Sequence, residues 1–228
     1  MKPLRLFVTG TDTGVGKTRI AVALCRAFAA RGRRVAAMKP VACGCTATAA
    51  GLRNADALAL QAAMTVRASY AEVNPYAFAP PIAPHLAARE AGTFIDFEVL
   101  DRAYERLCMQ SEVLIVEGAG GWRVPLDAER DFADLAARWD LQIVVVVGLR
   151  LGCLNHALLT IEAIERGGLQ VYGWVANGID PGFERAADNV ETLRRRIAAP
   201  CIAELGFAPD ADREALAREF SVDLRSAV

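Results

Sequence analysis

Short aliphatic and β-branched runs alternate with segments of helical period along almost the whole chain, and no other feature limits its fold so strongly. LRLFVTG is followed by a helical pattern over Thr18 to Ala30, RRVAAMKP by one over Asn54 to Ala63, and EVLIVEG by one over Asp131 to Trp139. LQIVVVVGL, the stretch Asn155 to Arg166, VYGWVAN, the stretch Glu184 to Ile197 and PCIAELG continue the series. Repeated strand, helix, strand units build a parallel sheet covered by helices on both faces. In IVVVV every side chain is apolar without alternation, the mark of a central strand buried on both sides.

Two stretches break the rhythm. Residues 40–53 are rich in Cys, Gly, Thr and Ala, and residues 71–95 carry Pro75, Pro80, Pro81 and Pro84, which exclude a continuous helix or a central strand. Both read as long loops, and long loops in a compact domain tend to be functional. No internal repeat, low-complexity tract or linker divides residues 1–228, which read as a single domain. Hydrophobic residues make up 54% of the chain, enough for a sizeable core.

The formal net charge of −1 argues against nucleic acid as a partner, since such proteins carry a basic surplus or stripe. Met1-Lys2-Pro3 runs straight into a strand-like segment without the apolar core of a secretory signal. The longest apolar stretch, Ile143 to Leu149, falls far short of the ~18 residues of a membrane helix. The expectation is a cytoplasmic protein that acts on small neutral or anionic metabolites. Cys25, Cys43, Cys45, Cys108, Cys153 and Cys201 form no C-x-x-C pair, so reduced, mostly buried thiols are expected. Cys43-Gly44-Cys45 lies in a loop, but a zinc site needs two more ligands, and His85 and His156 are the only histidines.

TGTDTGVGKT, Thr9 to Thr18, follows the first strand and opens the first helix. It nearly spells a phosphate-binding loop, with Gly10 one residue earlier than the usual first glycine and Thr11 in its place. The displaced glycine reads as a loop one residue longer, with Thr11, Asp12 and Thr13 in the extra reach. Backbone N–H groups of Gly14 to Thr18 then converge on phosphate oxygens at the positive end of the helix dipole. Lys17 would reach the β and γ phosphates, and the Thr18 hydroxyl would bind magnesium. The fold class is therefore α/β of the P-loop NTPase type, a mostly parallel central sheet with helices on both faces.

Glu117 ends VLIV and precedes Gly118-Ala119-Gly120-Gly121, where a magnesium-side acid belongs in phosphate-loop proteins. Lys39 ends the second strand. With Lys17 already serving the phosphates, Lys39 suits a second anion, such as a carboxylate or a developing phosphoryl charge.

GTDTGVGKT, KPVACG, GLRNADALAL, VNPYAFAPPIAPH, VEGAGGWRVPL, GLRLGCLNHALLT and GWVANGID, in this order and over nearly the whole chain, resemble the dethiobiotin synthetase family. The resemblance implies ATP-dependent ring closure of 7,8-diaminopelargonate with CO2 to dethiobiotin, ADP and phosphate, by way of a carbamate and a carbamic-phosphoric anhydride. It also implies a magnesium cofactor and a homodimer. By the same resemblance Gly14, Val15, Gly16, Lys17, Thr18 and Arg19 form the triphosphate site, and Thr18, Asp56 and Glu117 are the magnesium ligands. Lys39 takes the catalytic position beside Lys17. Glu117, Gly118, Ala119 and Gly120 contact the nucleotide, Asn177 and Gly178 form the adenine-reading turn, and Gly206, Phe207 and Ala208 close the base pocket. Thr13, Lys39 and Cys43 fall on the substrate side. Leu151, Gly152 and Asn155 belong to the segment that meets the substrate carboxylate of the other subunit.

Two departures from the family stand out. Cys43 replaces the serine common at that position, and a thiol is a weaker hydrogen-bond donor than a hydroxyl. GFAP lacks the usual tryptophan, with Phe207 in the aromatic's place. Partition-type ATPase switches, the alternative reading, carry a second lysine five residues before the loop lysine, where this chain has Asp12. A cobyrinate-type amide synthetase would add a glutaminase domain that these residues do not contain.

Overall fold

The computed structural model describes residues 3–208 and 213–220. β1 (Leu4–Gly10) leads through a loop into α1 (Lys17–Ala29), followed by β2 (Val35–Met38) and β3 (Val41–Ala42). β4 (Thr46–Thr48) and β5 (Gly51–Arg53) precede α2 (Ala55–Ala63), α3 (Tyr70–Val73), β6 (Tyr76–Ala77), α4 (Pro84–Glu90) and α5 (Phe97–Gln110). The second half runs β7 (Val113–Glu117), α6 (Phe132–Arg138), β8 (Gln142–Leu149), α7 (Cys153–Arg166), β9 (Val171–Gly178), α8 (Ala186–Arg196), β10 (Cys201–Leu205) and α9 (Arg213–Arg218).

Six strands pair in the order β10-β9-β8-β1-β7-β2, every pair parallel. Alternate residues of each inner strand feed opposite cores, as the pleat requires. Leu6, Val8, Val144, Val146 and Ile115 pack with Ile20, Leu24 and Phe28 of α1. Phe7, Val145, Val147, Leu114 and Val116 face Leu100 and Leu107 of α5, Phe132 of α6 and Ile161 of α7. Ile143 to Val147 are all buried, so the apolar run is the two-sided central strand that its composition predicts. Among the described residues no helix is long and apolar enough to cross a membrane.

The two expected loops are built up further than their composition suggests. β4 and β5 pair as a small antiparallel hairpin, and β3 pairs in parallel with β6. Pro84 stands at the first turn of α4, where a missing N–H costs nothing, so a proline-rich stretch still holds a short helix. These additions fix the end of β2: the Lys39 N–H donates to the Val73 carbonyl (2.7 Å), and the Asn74 amide donates to the Lys39 carbonyl (2.7 Å). α5, outside the strand and helix series read from the sequence, starts at Asp96, whose carboxylate accepts from the Glu98 N–H at 2.9 Å.

Candidate active site

The carboxyl ends of the strands converge on one rim, the place where open parallel sheets bind ligands. The loop after β1 is pinned at its start by the Thr11 N–H, which donates to the Val146 carbonyl at 3.0 Å. The Asp12 carboxylate accepts from the Thr13 N–H (2.7 Å) and pairs with the Arg150 guanidinium, and these partners lower its pKa. The position that carries a lysine in the switch ATPases thus serves here to brace the loop within the chain. Gly16 caps α1 at φ +93, a region that side chains other than glycine rarely adopt. α1 has no side-chain cap and no acid in its first turn, which leaves its N–H dipoles for an anion at the cleft.

The Lys17 ammonium donates to the Asp12 carbonyl at 2.8 Å. Burial, and next the positive charge of Lys39, push it down from 10.5 to about 8, against the pull of Glu117, Asp12 and Asp56. In the unfolded chain this lysine holds its proton above that value, so folding stability rises with pH between about 8 and 10.5. A bound phosphate stabilises the ammonium, so nucleotide affinity falls as pH rises through about 8, and binding there takes up a proton. Calorimetry of ADP binding at that pH, in buffers of different ionisation heat, is expected to show fractional proton uptake. Heats that do not depend on the buffer would remove this role from Lys17.

Across the rim, Glu117 ends β7 fully buried. Its Oε1 accepts from the Lys39 ammonium at 2.6 Å and from the Thr18 hydroxyl at 2.8 Å. Lys39 also donates to the Gly118 carbonyl at 2.9 Å and lies 3.6 Å from Asp56 Oδ2. Asn54 caps α2 by accepting from the N–H groups of Asp56 (3.0 Å) and Ala57 (3.2 Å), which sets Asp56 in the first helical turn beside the cleft. Glu117 Oε2 is buried without a hydrogen-bond partner. A hydroxyl and two carboxylates, one with a free oxygen, are hard oxygen donors, the set that suits Mg2+ when nucleotide and water complete its shell. Among the described residues no group of three or more His, Cys, Asp or Glu gathers into a metal-holding cluster.

Between these walls lies a cleft of about 670 Å³. It brings together Thr13, Gly14, Gly16, Lys17, Thr18, Lys39, Cys43, Asp56, Glu117, Ala119 and Gly120, residues that end or follow β1, β2, β3 and β7 or stand in the first turns of α1 and α2. Burial pushes the Cys43 thiol up to about 11, so it faces the cleft protonated. Val15 is buried beneath the loop, and neither Arg19 nor Gly118 lines the cleft, although the Gly118 carbonyl holds Lys39. Asn54, Pro81, Ile82, Pro84 and Val124 also line it, none of them named from the sequence as a site residue. The proline cluster was the available signal for three of them. Leu151, Gly152, Asn155 and His156 do not line the cleft; they lie exposed where α7 begins, Leu151 90% exposed, next to Arg150 and with the His156 charge felt at Asp12 of the phosphate loop. α7 resembles α1 in starting at a left-handed glycine, Gly152, without a side-chain cap or an acid in its first turn.

On the far side of the phosphate loop the buried Asn177 amide donates to the Val15 carbonyl at 2.8 Å, and its own oxygen is left without a partner. Gly178 lies directly under the turn of Gly206 and Phe207: a Cβ there would stand 2.6 Å from the Phe207 nitrogen and 2.8 Å from the Gly206 carbonyl carbon. Backbone cannot yield as a side chain tip can, so Gly178→Ala must displace that turn. We expect it to weaken ATP binding about tenfold, equivalent to ~1.4 kcal/mol, while the melting temperature stays within a few degrees. Wild-type ATP affinity in that variant would detach residues 206–208 from the base pocket.

A family model described as "AAA domain" matches residues 4–215. The ATP-dependent dethiobiotin synthetase BioD of Xanthomonas oryzae pv. oryzae (strain PXO99A) is 50% identical over 218 residues, 96% of this chain and 97% of that protein. The protein of the same name from Pseudomonas paraeruginosa (strain DSM 24068 / PA7) is 51% identical over 220 residues, 96% of each chain. Among solved structures, MinD in the MinC:MinD cell division complex of Aquifex aeolicus aligns with TM-score 0.56 at 19% identity, over 90% of this chain and 81% of its own. A ParA family ATPase from Chlorobium tepidum TLS aligns with TM-score 0.56 at 13% identity, over 95% and 90%. At such identities the two structures share the fold alone.

Proposed function

The chain belongs to the ATP-dependent dethiobiotin synthetase family, and from that premise we propose that its cleft joins CO2 to 7,8-diaminopelargonate and closes the cyclic urea of dethiobiotin at the expense of ATP. The observation that carries this reading is the placement of two buried lysines, Lys17 and Lys39, on one rim beside Glu117 and Thr18.

An amine and CO2 combine spontaneously into a carbamate, whose oxygen leaves poorly until it is phosphorylated. The carbamate oxygen attacks the γ-phosphorus of ATP, the bond to ADP breaks, and a carbamic-phosphoric anhydride forms. The second amine then attacks the carbamoyl carbon, loses its proton, closes the ring and expels phosphate. The enzyme's task is to press two anions together, and positioned cations lower that barrier. In this reading Lys17 and the first-turn N–H groups of α1 hold the β and γ phosphates. Lys39 meets the carbamate side, within reach of Thr13 and Cys43. Thr18, Asp56 and Glu117 would hold Mg2+, which would supply neutralisation of the phosphate charge. Asn177, Gly178 and Gly206 to Ala208 form the base side.

Leu151, Gly152 and Asn155 are exposed and do not line the cleft of their own chain. We assign the uncapped start of α7 to the substrate carboxylate of a second copy, which makes the working form a homodimer. The alternative, a switch that hydrolyses ATP to change partners, rests on the shared fold alone. Phosphate release is expected to require both the diamine and bicarbonate. ATP hydrolysis at the same rate without the diamine would favour the switch.

A further inference from the structure

Building on the reading that Thr18, Asp56 and Glu117 receive a divalent cation, we propose that Lys39 is a built-in competitor for that cation. Its ammonium holds the Glu117 carboxylate until the metal takes it, so metal loading and delivery of Lys39 to the reacting anions are one event.

The geometry is of one buried carboxylate with two claimants: its Oε1 is taken, and its Oε2 has no partner. Glu117 Oε1 takes the Lys39 ammonium at 2.6 Å and the Thr18 hydroxyl at 2.8 Å, and Asp56 Oδ2 lies 3.6 Å from the same ammonium. Both carboxylates assigned to the metal thus already face one positive charge, and the Thr18 hydroxyl shares the Glu117 oxygen that holds it. The Lys39 and Glu117 side chains are only 5% and 1% exposed, so little water screens a second cation brought to either oxygen of that carboxylate. Two positive charges at such spacing repel by several kcal/mol even at an effective dielectric of ~20. One of them must move, and the Thr18 hydroxyl must turn its lone pair outward.

What can move is set by the backbone. Hydrogen bonds from the Lys39 N–H to Val73 and from Asn74 to the Lys39 carbonyl fix the main chain on both sides. Displacement therefore runs through the flexible side chain alone. Its remaining contact, the Gly118 carbonyl at 2.9 Å, lies at the start of the turn whose Ala119 and Gly120 line the cleft. An ammonium released from Glu117 stays within the cleft and is free to meet a carbamate. Without the metal the same ammonium is tied up by Glu117, and the cleft is held inactive.

Removing Lys39 should then tighten metal binding even as it destroys turnover. The test titrates Mn2+ alone, read by loss of the free-ion electron paramagnetic resonance signal, against wild type, Lys39→Met and Glu117→Gln. We expect Lys39→Met to bind Mn2+ about tenfold more tightly than wild type, and Glu117→Gln to lose the site. Equal or weaker binding by Lys39→Met, with Glu117→Gln defective, overturns the competition and leaves the metal assignment standing. Wild-type affinity in Glu117→Gln overturns the metal assignment itself. Should Lys39→Met fail to fold, the wild type gives the answer, because Lys2, Lys17 and Lys39 are its only lysines and their ammonium signals separate readily in a nitrogen-labelled sample. The coupling across the hydrogen bond from Lys39 Nζ to the Glu117 carboxylate is expected before metal and lost on saturation with Mg2+ and ADP. A coupling that persists overturns the proposal.

Discussion

Replacing Lys39 by methionine is expected to slow ring closure by on the order of a hundred- to a thousandfold, the usual cost of removing one preorganised group aimed at developing charge. Methionine keeps an unbranched apolar stem as far as Cε, with sulfur at the δ position, and removes the ammonium. The loss should fall on kcat, because in the proposed reaction Lys39 meets the carbamate as it reaches the γ-phosphate, not the ground-state nucleotide. ATP affinity should therefore hold at the wild-type level or tighten. The stability cost is separate: Glu117 becomes a buried carboxylate with only the Thr18 hydroxyl as partner, and loss of one member of a buried pair costs about 3–5 kcal/mol. Stopped-assay kinetics and nucleotide binding, compared on folded variant protein, separate the two effects. Unchanged kcat would remove Lys39 from the chemistry.

The second large effect is expected at Gly16. Alanine there meets two costs together. Its backbone sits at φ +93, which penalises an L side chain by roughly 1–2 kcal/mol. Its Cβ would also lie 2.4 Å from the Asn177 Nδ2 that donates to the Val15 carbonyl, so that bond, worth about 1 kcal/mol, is broken as well. Relief of either strain moves the N–H groups of the phosphate loop away from their common focus. ATP affinity is expected to fall about a hundredfold, equivalent to ~2.7 kcal/mol, with the far-ultraviolet dichroism of the folded protein retained. Affinity within about threefold of wild type would show that the loop does not carry the phosphates in this way.

Much of this architecture is legible in the sequence because the forces that make it are local. Strand-forming runs, the helical period between them and the glycine-lysine-threonine corner depend on neighbours a few residues apart, and each strand named from composition is found in the sheet. α5 escaped because the alternation already seats α2 between β2 and β7, although Phe97, Leu100 and Leu107 fall on one buried face. The small elements within the two loops escaped because two- and three-residue strands have no period to read.

The site was legible as a set of residues and not as a constellation. Lys39 and Glu117 lie 78 positions apart, Thr18 and Glu117 lie 99 apart, and nothing local says that one carboxylate oxygen receives both. Asp12 could be read as a missing lysine, but its brace to Arg150, 138 positions away, depends on β8 lying beside β1 in the sheet. The role of Asn177 in holding Val15 follows in the same way from strand order, over 162 positions.

The central claim is that this cleft forces a carbamate oxygen onto the terminal phosphate of ATP. The direct measurement supplies bicarbonate labelled with heavy oxygen, together with the diamine and ATP, and weighs the phosphate released at early times. The account predicts one labelled oxygen in each phosphate, because the bond from carbamate oxygen to phosphorus survives when the second amine expels it. Dethiobiotin formed together with unlabelled phosphate would contradict it.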